Sequence, residues 1–193
     1  MGASLQSPRV ALGLLVALVA LGSAGCDGSD GYGSWSCDGP LQFADANLEQ
    51  TVRDAVGAPT GDILADDVSQ LAYLEASSRQ IALLDGIQCL TALTELYLGD
   101  NQISDIGPLE RLTLLQDLVL EVNGISDLAP LSGLTALASI SLHSNEVSEL
   151  APLVANAGLG EGDVVWLADN PLDMGEQAAN IQALEDRGVT LVF

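Results

Sequence analysis

The sequence predicts an α/β solenoid, in which a repeated unit stacks short parallel strands and a helix lies at each end. Three observations support this fold class: leucines and asparagines that recur at a fixed interval, an amphipathic helical pattern before them, and a helix followed by a strand after them. The chain has 193 residues, of which 48% are hydrophobic. It is therefore large enough for one domain with a continuous core.

The first 25 residues have the pattern of an export signal. Arg9 precedes an apolar run over residues 10–21, and small residues follow that run. The run is much shorter than the roughly 20 residues that a membrane-spanning helix needs. Residues 1–25 are therefore predicted to be a signal peptide that is absent from the mature protein.

The sequence Ser23-Ala24-Gly25-Cys26 resembles the lipobox of bacterial lipoproteins. The resemblance implies that Cys26 becomes the N-terminus and carries acyl chains that anchor the protein. The match departs from the motif at Ser23, where lipoproteins usually have leucine, and the same small residues also suit an ordinary signal peptidase. Residues 26–40 are rich in Gly and Ser and are predicted to be a lipid-anchored tether.

The chain contains three cysteines, Cys26, Cys37 and Cys89. If Cys26 is lipidated, an even pair remains in a protein that is exported to an oxidising compartment. Two alternatives stay open for that pair. Cys37 and Cys89 form a disulfide, or they are free thiols and one of them is packed in the core.

A helical pattern in residues 41–62 precedes the repeats. Its apolar residues recur on one helical face within residues 43–56, and Gly57 and Pro59 end it. A helix in this place would cover the exposed end of the repeat core. We therefore predict an N-terminal helical cap.

Residues 63–173 are predicted to form about five repeats, and three of them are complete copies spaced by 22 residues. Each copy fits L-x-x-L-x-x-L-x-L-x-x-N-x-I-x-D-I-x-P-L, which is the leucine-rich-repeat signature. Alternate residues of L-x-L point to opposite faces of a strand. The inward leucines of successive units therefore stack into a core that no single repeat could bury.

Polar residues and prolines occupy fixed places after each strand. The asparagines are predicted to form a ladder whose amides satisfy backbone groups freed by the bend: Asn101, Asn123, Asn145 and Asn170. The acidic residues that follow are predicted to accept backbone N–H groups: Asp105, Asp127 and Glu149. The prolines suit an extended segment that needs no N–H donor: Pro108, Pro130 and Pro152.

Residues 174–193 are predicted to be a C-terminal cap made of a helix and a strand. The helix covers residues 177–187, with Ile181 and Leu184 on one face, and Gly188 ends it. Residues 189–193 have the apolar, β-branched composition of a strand.

Residues 41–193 resemble the internalin-like subfamily of 22-residue leucine-rich repeats. The resembling features are the pattern F-x-D-x-x-L-x-x-x-V-R of the first helix, L-x-G-I at residues 84–87, the N-x-I-S-D-I/L-x-P-L blocks, and the ending Asn170-Pro171-Leu172. The resemblance implies a curved, right-handed solenoid that binds proteins, and less often glycans, on its concave sheet. The chain departs from long adhesins because it has few repeats and no cell-wall sorting tail.

The outward residues of each strand lie two, four and six places before the asparagine. We expect aromatic and acidic residues of this face to contact a basic or glycosylated protein. The predicted contact residues are Tyr73, Glu75, Glu95, Tyr97, Asp117, Val119, Glu121, Ser141, His143 and Trp166. In the alternative interpretation, Trp166 packs under the C-terminal cap and the carboxylates are only solvated.

The charge of the chain excludes some classes of partner. There are 27 acidic residues against five basic ones, and the net charge is −22. Such a charge repels phosphate backbones and anionic lipid heads. We therefore expect no nucleic-acid partner and a membrane association through the lipid anchor alone. We also expect a monomer. A purely solubilising role of the acidic surface is the alternative.

The sequence predicts a binding protein and not an enzyme. His143 has no Asp placed by sequence to orient it, and no H-E-x-x-H, P-loop or G-x-S-x-G pattern occurs. We expect no catalytic residue, metal or cofactor. The predicted location is the extracytoplasmic side of the bacterial envelope, at the outer membrane or cell surface in preference to the inner membrane. The alternatives are a structural scaffold lipoprotein, a glycan-binding adhesin, and a glycan- or metal-dependent enzyme.

Overall fold

The computed structural model describes residues 36–193. The export signal, Cys26 and residues 27–35 of the tether lie outside this range. The described helices are α1 (Ala46–Val56), α2 (Ala65–Val68), α3 (Ala151–Ala155) and α4 (Ala178–Glu185), with 3-10 helices at Ile87–Cys89, Gly107–Arg111 and Ala129–Leu131. The strands are β1 (Tyr73–Glu75), β2 (Glu95–Tyr97), β3 (Asp117–Val119), β4 (Ser139–Ser141), β5 (Val164–Trp166) and β6 (Thr190–Val192).

The six strands form one sheet in which each strand pairs in parallel with the next one in sequence. Tyr73 is paired with Glu95, Glu95 with Asp117, and Asp117 with Ser139. Equivalent positions of successive repeats are thus neighbours in space. The structure is therefore an α/β solenoid in which each repeat contributes one short strand.

The core is a stack of inward side chains from the strands and the residues that follow them. Leu96 lies in strand β2 and Leu98 just after it, and Leu118 lies in strand β3 and Leu120 just after it; all four are fully buried. Burial of one leucine stabilises the fold by about 1.5–3 kcal/mol. Because each leucine packs against its equivalents in the neighbouring repeats, the core is one continuous cluster.

The asparagines after the strands link adjacent repeats. The side-chain amide of Asn145 donates to Leu120 O at 2.9 Å in the preceding repeat and to Leu142 O at 3.0 Å in its own. Its Oδ1 accepts from Ile125 N at 3.0 Å. The same pattern of bonds recurs at Asn101, Asn123 and Asn170.

The residue before each of these asparagines has a left-handed backbone. The φ angles are 54° at Asp100, 53° at Val122, 55° at Ser144 and 57° at Asp169. Val122 is the one β-branched residue among the four, and this conformation costs a non-glycine residue about 1–2 kcal/mol.

The substitution Val122→Asn should raise the free energy of unfolding by about 0.5–1 kcal/mol, because asparagine tolerates the left-handed region. Little burial is lost, since Val122 is 46% exposed. Urea denaturation measures the change. The control is Ser144→Asn, which replaces a polar residue at the equivalent position and should change the midpoint little. A lower midpoint for Val122→Asn would contradict the argument.

The prolines lie in helical turns, so the prediction of an extended segment there is wrong. Leu109 N donates to Ile106 O at 3.0 Å, which closes a 3-10 turn around Pro108. Pro108 occupies the first turn, where a missing N–H costs nothing. Asp105 accepts from Gly107 N at 2.8 Å just before the turn. Equivalent carboxylate bonds precede the turns at Pro130 and Pro152.

Helix α1 begins at Ala46, so Phe43 precedes the helix and is half-buried against the core. Asp45 sets this start because its Oδ1 accepts from Asn47 N and Leu48 N. Its Oδ2 accepts from Ala82 N at 2.8 Å in the first repeat. Burial raises the pKa of Asp45, but these backbone N–H groups outweigh it and leave the pKa below its usual value. Asp45 thus joins the helix to the repeat.

The C-terminal segment packs against the last repeats through α4 and β6. Leu184 of α4 is buried, and β6 pairs with β5. The guanidinium of Arg187 donates to Asn156 O at 2.9 Å and Val154 O at 3.1 Å, at the end of α3. These bonds satisfy carbonyls that the end of a helix leaves without partners.

The repeat between β4 and β5 is longer than the others. Asn156, which is fully buried, links it to the preceding repeat. Its amide donates to Leu131 O at 2.8 Å and Leu134 O at 3.0 Å. Two residues later, a Cβ on Gly158 would lie 2.0 Å from Thr135 O. A glycine is therefore needed where the inserted loop touches the preceding repeat.

A disulfide joins Cys37, which precedes α1, to Cys89 in the first 3-10 helix. Both residues are partly buried beside the core, and their Cα atoms are 5.6 Å apart. The bond fastens the N-terminal segment to the first repeats.

Candidate functional site

The outward side chains of the strands form one surface, which we call the open sheet face. Its central column contains Glu75, Tyr97, Val119, Ser141, Trp166 and Val192, which are neighbours across the sheet. The adjacent column contains Tyr73, Glu95, Asp117, Ser139, Val164 and Thr190. A third column follows the strands with Ser77, Gly99, Glu121, His143 and Ala168.

A depression of about 340 Å³ lies in the middle of the open sheet face. Its lining consists of Tyr97, Asp117, Val119, Glu121, Ser139, Ser141, His143 and Trp166. Most of the contact residues that the sequence predicts are thus brought together here. Tyr73, Glu75 and Glu95 lie outside the depression, towards the first strands.

The floor and sides of the depression follow from the register. Tyr97 and Trp166 belong to the same column but are three strands apart, which is about 14 Å at the usual spacing of strands. Val119 and Ser141 lie between them, and Ser141 is only 8% exposed. Small side chains thus form a floor between two aromatic walls.

Tyr97 also belongs to an aromatic pair at the edge of the depression. Its ring centroid is 5.5 Å from that of Tyr73, and the planes are inclined by 48°. Its hydroxyl donates to Glu95 Oε2 at 3.5 Å. The pKa of Tyr97 is raised, mainly by partial burial and to a smaller extent by the negative charges of Glu95 and Asp117. The electrostatic potential beside Tyr97 is therefore negative.

A polar cluster forms the opposite edge. Ser141 Oγ donates to Glu121 Oε2 at 3.1 Å and lies 3.1 Å from His143 Nδ1. Glu121 Oε2 is 3.6 Å from the same ring nitrogen. The acidic neighbour of His143 is thus Glu121, from the adjacent repeat, although the sequence predicts no Asp in a position to orient this histidine.

This cluster differs from a catalytic triad in its geometry. In a triad, the serine faces one imidazole nitrogen and the carboxylate faces the other. Ser141 and Glu121 both face Nδ1 of His143. The serine proton is directed to Glu121, so this arrangement does not prepare Ser141 as a nucleophile.

Gly99 provides the space in which Glu121 lies. A Cβ on Gly99 would be 2.9 Å from Glu121 Cγ, which is closer than real Cβ contacts allow. The side chain of Glu121 therefore passes over Gly99. A larger residue at this position would displace the carboxylate from the depression.

Arginines do not offset the acidic side chains of the open sheet face within residues 36–193. Arg53 donates to Ala58 O and Gly61 O beyond the end of α1, and Arg187 donates to carbonyls after α3. Arg79 lies in the loop after β1, and Arg111 lies in a 3-10 helix. Within the described residues, no arginine therefore forms an ion pair with the carboxylates of this face.

Residues 36–193 contain no cluster of three or more His, Cys, Asp and Glu side chains arranged to hold a metal ion. No helix in the same range has the length and apolar character required to span a bilayer.

A parallel sheet with one strand per repeat, a stack of inward leucines and an asparagine ladder define the leucine-rich-repeat fold. Two of the solved structures that share this fold are bacterial proteins. Internalin InlF from Listeria monocytogenes matches with a TM-score of 0.56 and 22% identity, over 78% of this chain and 56% of that chain. A leucine-rich-repeat protein of Leptospira interrogans matches with a TM-score of 0.57 and 24% identity, over 66% of this chain and 33% of that chain.

The chain thus spans about half the length of the internalin and a third of the length of the Leptospira protein. No family model and no curated protein matches the sequence. At these identities the structural comparisons establish the fold.

Proposed function

We propose that this chain is a cell-envelope protein that binds a partner protein through the open sheet face, as the concave side of a right-handed solenoid. The observation that carries the proposal is the depression between Tyr97 and Trp166. Aromatic side chains beside a small, partly enclosed floor are typical anchor points of protein interfaces. The fold shared with an internalin and with a second bacterial leucine-rich-repeat protein favours the same role.

The proposed role does not include catalysis. The hydroxyl of Ser141 is bonded to Glu121, and both groups face one nitrogen of His143. A depression on an open sheet also gives a reacting group little protection from water. We therefore propose binding without a cofactor, and we propose separately that the chain acts as a monomer.

The proposed location is the extracytoplasmic side of the envelope, with a lipid anchor on Cys26. This part of the proposal depends on the lipobox resemblance at residues 23–26. The bond between Cys37 and Cys89 is compatible with it, because disulfides persist in oxidising compartments. The helix α1 and the segment α4–β6 are proposed to cap the two ends of the core.

The double substitution Tyr97→Ala and Trp166→Ala should weaken partner binding at least about 30-fold, because each removes a large aromatic contact from the centre of the face. The assay uses the full chain with a photo-crosslinking amino acid at Ser139, inside the depression. Irradiation of intact cells should give one discrete adduct. The adduct should disappear in the double variant, whose folding is checked by circular dichroism.

Two controls make this result specific. The double variant Leu83→Ala and Leu114→Ala removes exposed apolar residues outside the strand columns and should leave the adduct unchanged. A crosslinker at Leu114 should give no adduct with the same partner. An adduct that persists without Tyr97 and Trp166 would overturn the proposal. An equal adduct from Leu114 would favour a scaffold, and loss of the adduct after glycosidase treatment would favour a glycan ligand.

A further inference from the structure

We propose that the depression on the open sheet face receives an arginine side chain of the partner protein. This inference rests on the proposed function and names the chemical group that the site recognises. The depression has about 340 Å³, near the lower limit of the roughly 300–1,000 Å³ of small-molecule pockets. Its size suits one long side chain.

Charge complementarity selects a cation. Asp117 and Glu121 precede and follow Val119 along one chain segment, with side chains on the same face. Their Cα atoms are about 13 Å apart at the rise of an extended strand. A cationic group above Val119 would therefore lie between two carboxylates. Glu95, whose carboxylate lies beside the hydroxyl of Tyr97, makes the electrostatic potential of the depression more negative.

The carboxylate of Glu121 is held in position before any partner arrives. Ser141 Oγ donates to its Oε2 at 3.1 Å, and the missing side chain of Gly99 leaves room for its methylene groups. A fixed carboxylate loses little side-chain freedom on binding. Binding by such a preorganised acceptor favours a cation that needs defined hydrogen-bond geometry.

The aromatic walls select a planar cation. A guanidinium stacks on the face of one aromatic ring, of tyrosine or of tryptophan, and donates from its edges to carboxylates, whereas an ammonium is a compact charge with a strong hydration shell. Tyr97 and Trp166 stand at opposite sides of the depression, and the two carboxylates stand at the other sides. The arrangement therefore fits arginine better than lysine.

The test measures binding of three peptides to the full chain. The probe is Gly-Ser-Gly-Ser-Arg-Ser-Gly-Ser-Gly-amide, and its two relatives carry lysine or citrulline at the centre. Citrulline has the shape of arginine without its charge. The chain has two tryptophans, so a Trp35→Phe background makes Trp166 the single fluorescent reporter. We expect the arginine peptide to bind at least about tenfold more tightly than the citrulline peptide and about threefold more tightly than the lysine peptide.

Charge-removing variants locate the binding. Asp117→Asn and Glu121→Gln should each weaken binding of the arginine peptide about three- to tenfold, because each removes one neighbouring carboxylate. Gly99→Ala should have a smaller effect in the same direction, because it displaces Glu121. The matched control is Glu110→Gln, which makes the same change in net charge at an exposed residue of a 3-10 helix and should leave the affinity unchanged.

Failure of this inference can be separated from failure of the proposed function. Equal binding of the arginine and citrulline peptides would overturn the inference, as would an equal loss in Glu110→Gln and Glu121→Gln. If the cellular adduct still requires Tyr97 and Trp166 in that case, the open sheet face remains a binding surface for a different group. If the adduct persists without those aromatic residues, the proposed function itself is wrong.

Discussion

Replacement of both Cys37 and Cys89 with alanine should lower the free energy of unfolding by about 4 kcal/mol, as loop entropy predicts for a bond of this span. The two residues are 52 positions apart, so the disulfide removes much of the conformational freedom of the unfolded chain. The closed loop contains α1, α2 and β1. Urea denaturation under oxidising conditions, monitored by circular dichroism, measures this loss of stability.

A reductant provides the control for this prediction. Dithiothreitol should lower the stability of the unmodified chain towards that of the double variant and should leave the double variant unchanged. The single variant Cys89→Ala should resemble the double variant, because it also lacks the bond. Equal stability of the reduced and oxidised chains would show that the bond contributes nothing.

The substitution Asn145→Asp should lower the free energy of unfolding by about 3 kcal/mol or more, since a buried unsatisfied group costs about 1–3 kcal/mol and a buried charge costs more. The side chain keeps its size but loses the amide donor. The amide bonds to Leu120 O, Leu142 O and His143 O, so a carboxylate would face three acceptors. Asn145 is only 5% exposed, and water cannot replace the lost donor.

Asn47→Asp is the matched control, because it makes the same chemical change in an exposed residue of α1. The amide of Asn47 makes one long bond, to Gln80 O at 3.4 Å. Its replacement should change the stability by less than about 0.5 kcal/mol. If Asn145→Asp had an equally small effect, the ladder would not be the link between repeats that the hydrogen bonds indicate.

The strand positions could be predicted because, in a solenoid, the spacing of the repeats along the sequence sets which residues of neighbouring strands are paired. The inward leucines and the following asparagines recur at 22 residues in the complete repeats, and the strands pair with that offset. Each residue therefore meets its equivalent in the next repeat. For this reason the residues of each column of the open sheet face could be predicted from the sequence, including Tyr97 and Trp166 in the same column.

The turns at the prolines were harder to predict. A proline fits both an extended segment and the first turn of a helix, and the sequence pattern does not separate the two. The choice is made by the i to i+3 bond from Leu109 N to Ile106 O and its equivalents. The prediction of extended structure there was wrong because it considered the missing donor of Pro108 alone.

The sequence by itself determined the repeated strand, its inward leucines and the acidic, aromatic character of the open sheet face, because these depend on residue type and period. Only the tertiary structure decided which side chains meet across repeats: Glu121 with Ser141 and His143, Asp45 with the first repeat, and β6 with β5. These contacts depend on side-chain direction and on segments outside the regular period. The depression between Tyr97 and Trp166 exists because only small residues stand between them in the assembled sheet.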